Sequence, residues 1–246
     1  MSRTGYPRLD RYGVGYYPYG HAFLTGVNKF VFDLGKLPLN LGAEVEVIGD
    51  VPNKACVIVC KHEKYLDTIV QHYLLGGHHL HQLARHDFFD KWYEAWFFTW
   101  SGCLPIDRFN ENRRLNYEAL NYAADRLAAD EPVLVYPEKH RHPGHIGHLY
   151  VESLIYLDKL ARDRGLHVPL VAASQYYEDN HVGIPSLINP FEGKTRIRIA
   201  FDDKSYLDGL SAEDITERFV TAYQKNLPGH EYRDDKFDEC KENPIK

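Results

Sequence analysis

The chain has no run of apolar residues approaching the ~20 that a membrane-spanning helix requires. Across its 246 residues it is therefore expected to be soluble or peripheral to a membrane. Nor does an apolar stretch follow the opening Met1-Ser2-Arg3-Thr4-Gly5-Tyr6-Pro7, as it would in a secretory signal. Cysteine is scarce, with only four residues, too few to form a disulfide framework in a chain of this size. Cys56 and Cys60 would share one face of a strand but stand ~13 Å apart along it, beyond disulfide reach. Neither C-x-x-C nor zinc-type spacing occurs, and a reducing, cytoplasmic compartment is expected. Positive charge is not in excess, with 29 Lys and Arg against 35 Asp and Glu for a net charge of −6. That balance argues against nucleic acid as the main partner. Two catalytic signatures are also missing: the G-x-S-x-G nucleophile elbow and the H-E-x-x-H zinc helix.

What is present is a hydrophobic content of 44%, ample for a core, and an alternation of strand-like and helix-like runs. Residues 1–20 are rich in Tyr, Gly and Pro and are expected to form an irregular arm. An amphipathic helix follows within 21–42, where Phe23, Val27, Phe30, Val31 and Leu34 recur at helical spacing and Pro38 stops the run. In a chain without a span, such a stripe is a candidate for membrane contact. Glu44 to Ile48 alternates as a half-buried strand, and Ala55 to Cys60 reads as a strand buried on both faces. Further strands are expected at 80–84, 132–136, 168–173 and 195–201, with helices at 66–75, 88–100, 113–130, 150–161 and 212–225. On the helix over 113–130, Ala119, Leu120, Ala123 and Leu127 should face inward, and Glu118, Asp125 and Arg126 outward. This pattern predicts an α/β fold: a mixed, largely parallel central sheet flanked by helices, preceded by the amphipathic helix. One domain should span 21–228, and 229–246 should form a charged, frayed tail.

The organising stretch is Lys61-His62-Glu63-Lys64-Tyr65-Leu66-Asp67, between an apolar strand, Val57 to Cys60, and a helix-like run. It puts a histidine in the turn and an aspartate in the first helical turn, so that the carboxylate can reach an imidazole nitrogen. Such a partner fixes the tautomer and makes the other nitrogen a better base. Three blocks follow in order: Ile106-Asp107-Arg108, then Val135-Tyr136-Pro137-Glu138-Lys139-His140-Arg141, then Val168-Pro169-Leu170-Val171. Together the four resemble the blocks of the glycerolipid acyltransferase superfamily, PlsC-like group: H-x4-D, I-D-R, F/Y-P-E-G-T-R and V-P-I-V. The resemblance covers roughly residues 20–225.

The resemblance implies transfer of a fatty acyl group from a thioester, acyl-CoA or acyl-carrier protein, to the hydroxyl of a lysophospholipid-like acceptor such as 1-acylglycerol-3-phosphate. His62 would be the general base and Asp67 its orienter. Arg108, Glu138 and Arg141 would serve acceptor binding, with Lys139 as an added cation. Trp96, Trp100 and Pro169 are the candidates for an acyl pocket. No resident cofactor and no metal are implied, and the setting would be cytoplasmic and peripheral at the inner membrane face. Two departures stand out. Lys61 occupies a place where the family usually has a small polar residue, and Lys139-His140 replaces Gly-Thr. Loss of that glycine is expected to reshape the loop that meets the phosphate, which leaves acceptors without phosphate, such as glycolipids, as an alternative. Two other readings are a lipid-binding scaffold of the same fold without turnover, and a metal-dependent hydrolase. The latter would be built on the histidine clusters 72, 78, 79, 81 and 140, 142, 145, 148.

Overall fold

The computed structural model describes residues 6–12, 43–52, 54–63, 67–75, 80–178 and 195–234. The expected amphipathic helix over 21–42 lies outside them. The strands are β1 (Ala43–Ile48), β2 (Val57–Cys60), β3 (His81–Arg85), β4 (Cys103–Ile106), β5 (Val133–Val135), β6 (His145–Ile146), β7 (Leu170–Tyr177), β8 (Thr195–Phe201) and β9 (Glu231–Tyr232). The helices are α1 (Pro7–Arg11), α2 (Asp67–Leu74), α3 (Trp92–Trp100), α4 (Arg113–Ala128), α5 (Glu152–Asp163) and α6 (Ala212–Asn226). A 3-10 turn (His86–Phe89) precedes α3.

Seven strands form one sheet in the order β1-β8-β7-β2-β5-β3-β4. Every neighbouring pair is parallel except β7 with β8. The expected mixed, largely parallel sheet is thus present. Its centre is β2, paired with β5 and β7, and all four β2 residues are buried. Val57 and Val59 belong to the core under α4, α5 and α6, whereas Ile58 and Cys60 belong to the core on the other face. Alternation along the strand therefore sends apolar side chains to two covered faces, which is why the run reads as continuous. Each such aliphatic side chain stabilises the fold by roughly 1.5–3 kcal/mol.

The two edges are managed differently. On β1, Glu44 and Glu46 lie opposite Arg196 and Arg198 of β8, with N–O distances of 3.5 and 2.8 Å. Such exposed pairs add little stability, but they set register and keep the edge charged. At the other edge, Pro105 lies in β4, which pairs with β3 alone in this sheet. An edge strand tolerates the missing N–H, so a proline that argues against a strand marks one here.

Two terminal expectations change. Within the expected irregular arm, Pro7–Arg11 is helical, and Leu9 is fully buried against α4. The α1 helix explains a second difference. Glu118, expected outward, is 5% exposed because its carboxylate accepts the Arg8 N–H at 2.7 Å, one of the donors a helix start leaves unpaired. Within the expected frayed tail, β9 pairs with β6, and Arg233 N–H reaches the Ile146 carbonyl at 2.8 Å.

Candidate active site

His62 follows directly on the carboxyl end of β2, the central strand, where open α/β sheets place their sites. Asp67 begins α2. Its Oδ2 accepts from His62 Nδ1 at 2.9 Å and from the Glu63 N–H at 2.6 Å. The Tyr177 hydroxyl, from β7, donates to Oδ1 at 2.6 Å. Burial and the neighbouring Asp67 carboxylate hold the Tyr177 phenol protonated, well above its ordinary range, so it remains a donor. Asp67 is wholly buried and His62 partly exposed. With Nδ1–H committed to Asp67, Nε2 carries the lone pair. The Tyr136 ring packs on the imidazole with centroids 4.4 Å apart.

The third block sits beside this pair, because β5 neighbours β2 in the sheet. Glu138 does not face the cavity described below. It is 1% exposed, and its carboxylate accepts the His62 N–H at 2.7 Å and the Gly147 N–H at 2.8 Å. Burial pushes its carboxyl up to about 7, while Lys61 and these two backbone donors draw it back down. The Glu138 carboxylate thus bridges the His62 and Gly147 loops from behind. Asp107 is spent in the same way. Its oxygens accept the N–H of Phe109 at 3.0 Å and of Asn112 at 2.6 Å, shaping the entry to α4.

His62, Arg108, Lys139 and Arg141 all line one cavity of about 1230 Å³. That exceeds the ~300–1,000 Å³ usual for small-molecule pockets and gives room for a substrate with two unlike parts. The block loops supply its polar lining, including His140 and His142; β3, β4, α3 and α4 supply apolar lining such as Leu83, Ile106, Phe97, Phe98 and Leu120. Arg108 lies over the Phe109 ring at 4.7 Å and donates to the His140 imidazole at 3.0 Å. Burial, then the Arg108 charge, push His140 down to about 4, so its ring is neutral at neutral pH. Lys139 has a left-handed backbone, φ 59°. It adopts the conformation a glycine would allow there, so a positive-φ turn survives the substitution. Its ammonium donates to the Arg108 carbonyl at 2.9 Å and lies 3.9 Å from the Tyr150 ring centre, tying the third block to the second.

The acyl-pocket candidates fare differently. Pro169 does not line the cavity; its carbonyl accepts the N–H of Val57, the first residue of β2. It therefore lies at the amino end of the parallel strands, away from His62. The side chains of Trp96 and Trp100 lie outside the described set. Trp92, first in their every-fourth-residue series, is 82% exposed, and among the described side chains of α3 Phe97 and Phe98 line the cavity. Of the histidine clusters, 78 and 79 lie outside the described residues, as does the side chain of 72. His81 contacts Glu131 at 2.8 Å, His142 contacts His145 at 3.2 Å, and His148 meets Asp234. Among the described residues, no group of three or more His, Cys, Asp or Glu side chains could hold a metal ion.

Sequence reading missed Lys61, Glu63 and His230, which form a buried cluster behind His62. Lys61 Nζ stands 3.2 Å from Glu63 and 3.6 Å from Glu138, and His230 Nε2 stands 2.7 Å from Glu63. The signals were a lysine directly after an apolar strand and its departure from the residue type usual at that place.

Residues 43–146 match the model of the family described as Acyltransferase; that span holds the first three blocks. No curated protein matches by sequence. Among solved structures, the fold is similar to that of the 1-acyl-sn-glycerophosphate (LPA) acyltransferase PlsC from Thermotoga maritima, with a TM-score of 0.58 and 17% identity. The likeness covers 91% of this chain and 86% of that one. Over residues 43–146 the chain is thus similar to the Acyltransferase family, and over nearly its whole length it shares the fold of that PlsC.

Proposed function

We propose that the chain moves a fatty acyl group from a thioester donor, acyl-CoA or acyl-carrier protein, to the hydroxyl of a lysophospholipid-like acceptor such as 1-acylglycerol-3-phosphate. The acceptor hydroxyl attacks the thioester carbonyl while His62 Nε2 removes its proton, and Asp67 stabilises the imidazolium that forms. The tetrahedral intermediate then collapses, the C–S bond breaks, and the thiolate takes the proton back from His62. No enzyme nucleophile is needed. Arg108 and Arg141 hold the acceptor phosphate, a task suited to a planar guanidinium. Lys139 and Glu138 keep that loop in shape, and the apolar lining receives the acyl chain.

One observation carries this reading: His62, held at 2.9 Å by a buried Asp67, lines the same cavity as Arg108 and Arg141. A lipid-binding scaffold without turnover would have no use for a base and its orienter. An acceptor lacking phosphate is the second reading, and it has its own support, since Arg108 already engages His140. We place the protein at the cytoplasmic face of a membrane, reached through the apolar stripe of Phe23, Val27, Phe30, Val31 and Leu34. No helix among the described residues is long and apolar enough to cross one.

The test is a mass-spectrometric acceptor screen with acyl-CoA and acyl-carrier protein side by side. It should include lysophosphatidate, other lysophospholipids, monoacylglycerol and lysoglycolipid. Acylated product from phosphate-bearing acceptors is expected. Product from the phosphate-free arms alone would move the function to the second reading, and no product in any arm would support the scaffold.

A further inference from the structure

We infer that Lys61 is a positioning residue for the proposed reaction: its buried ammonium clasps the loop bearing His62 to the third-block loop, and Glu63 with His230 holds that ammonium in place. The inference rests on the acyl-transfer reading above.

The side chain of Lys61 is fully buried, with 0% exposure. An ammonium out of water is costly unless it is fully paired, and an apolar side chain of the same volume often serves stability as well or better. A lysine kept in such a place therefore points to a job that a methionine could not do. Its contacts name the job. Nζ donates to the His142 carbonyl at 2.7 Å and the His62 carbonyl at 3.3 Å. It also faces Glu63 at 3.2 Å and Glu138 at 3.6 Å.

These contacts reach the backbone of the base itself. The His62 N–H is held by Glu138, and the His62 carbonyl accepts the His142 N–H at 3.0 Å as well as the lysine. Both polar groups of the His62 main chain are thus tied to the third-block loop, and Lys61 reaches both strands of the tie. Glu63 carries the second connection. Its N–H binds the Asp67 oxygen that also holds His62 Nδ1, so a shift at Glu63 moves the orienter of the imidazole. His230 closes the cluster at 2.7 Å from Glu63. It is brought there by the chain segment that returns to pair β9 with β6, three residues after His142. The departure of Lys61 from the family pattern thus accompanies the Lys139-His140 departure in the loop it grips.

The test compares wild type with Lys61→Met and with the double variant Lys61→Met, Glu63→Gln. The wild-type cluster holds one ammonium against two carboxylates, a net of one negative charge. The double variant holds one carboxylate, so its buried net charge is the same and it should fold even where the single variant does not. Both are expected to lose at least about tenfold in kcat, while KM for donor and acceptor stays within about threefold. The single variant should also recover activity with rising pH beyond the wild-type plateau. Without Lys61, Glu138 faces Glu63 unopposed and takes a proton, weakening its hold on the His62 N–H. The titratable groups surrounding this point are Glu63, Glu138, His62, Asp67, His140, His142 and His230.

NMR of the His62 ring reads the same positioning without turnover, so it separates failure of this inference from failure of the acyl-transfer reading. The Nδ1–H resonance, which reports the hydrogen bond to Asp67 at 2.9 Å, should shift in both variants. A folded Lys61→Met protein with wild-type kcat, pH profile and Nδ1–H resonance would overturn the inference. So would a double variant that regains wild-type kcat, since the ammonium would then only balance charge. For a protein that transfers no acyl group, an unchanged Nδ1–H resonance in both variants would overturn it alone.

Discussion

Asp67→Asn should reduce kcat by between about 5-fold and about 10³-fold without unfolding the protein, and the range follows from which donors surround the carboxylate. Oδ2 faces two donors, His62 Nδ1–H and the Glu63 N–H, and the second belongs to the backbone and cannot turn. The amide NH2 is therefore excluded from that place, and the amide oxygen must occupy it. The NH2 then faces the Tyr177 hydroxyl, which can rotate from donor to acceptor. His62 thus keeps its tautomer, and only charge is lost. Replacing a charge-assisted hydrogen bond by a neutral one costs ~1 kcal/mol, which sets the lower bound. Losing the attraction of a carboxylate for the imidazolium costs up to about 4 kcal/mol at 4 Å and an effective dielectric of 20, which sets the upper. The assay is product formation by mass spectrometry at saturating donor and acceptor, with thermal unfolding measured beside it. A kcat within about threefold of wild type would remove Asp67 from the mechanism. A loss well beyond about 10³-fold would mean that the amide had turned its NH2 to the imidazole and imposed the wrong tautomer, an effect of about 10⁴-fold in the serine-protease triad. Either outcome refutes the reasoning from the Glu63 N–H.

Replacing Arg108 or Arg141 by alanine should raise KM for a phosphate-bearing acceptor by about 10- to 100-fold, the equivalent of ~1.5–3 kcal/mol for a charged hydrogen bond, and leave the donor KM unchanged. Lysine should rescue only in part; silent alanine variants would make the arginines structural. Glu138→Gln should change how stability varies with pH. The folded carboxyl is raised to about 7 from an ordinary 4.5, so between those values the folded state binds a proton that the unfolded state does not. That contribution is full at acid pH and is lost as pH rises to about 7. Wild type should therefore lose stability relative to Glu138→Gln as pH rises across that window in denaturant titrations, and a constant difference would contradict it. Phe30→Asp together with Leu34→Asp should abolish co-sedimentation with lipid vesicles in a protein that still unfolds cooperatively; unchanged sedimentation would remove the 23–37 stripe from the membrane contact.

The legible parts of this fold and site were local or ordered along the chain. His62 and Asp67 could be paired because only four residues separate them where a strand end gives way to a helix start. Arg108, Lys139 and Arg141 could be placed at one edge because each follows a strand of the same parallel sheet. The short elements were not legible: two-residue β6 and β9 carry no periodicity, and α1 holds its place through Leu9 and Tyr6 packing on α4 rather than through its own pattern. Nor could sequence show that Lys61 is buried, because its partner Glu138 and the His230 that braces Glu63 come from far along the chain. Pro169 was assigned by type, and type does not say which end of a strand a proline occupies.

The central claim is that the His62 imidazole takes the proton of an acceptor hydroxyl that attacks the thioester directly. It is tested most directly by the single-turnover acyl-transfer rate of His62→Ala against wild type, with the intact protein mass recorded through the reaction. The account predicts a loss of about 10²–10⁴-fold in a normally folded variant, and no acyl adduct on either protein. A folded variant with near-wild-type turnover, or an acyl-enzyme that forms and decays at the catalytic rate, would contradict it.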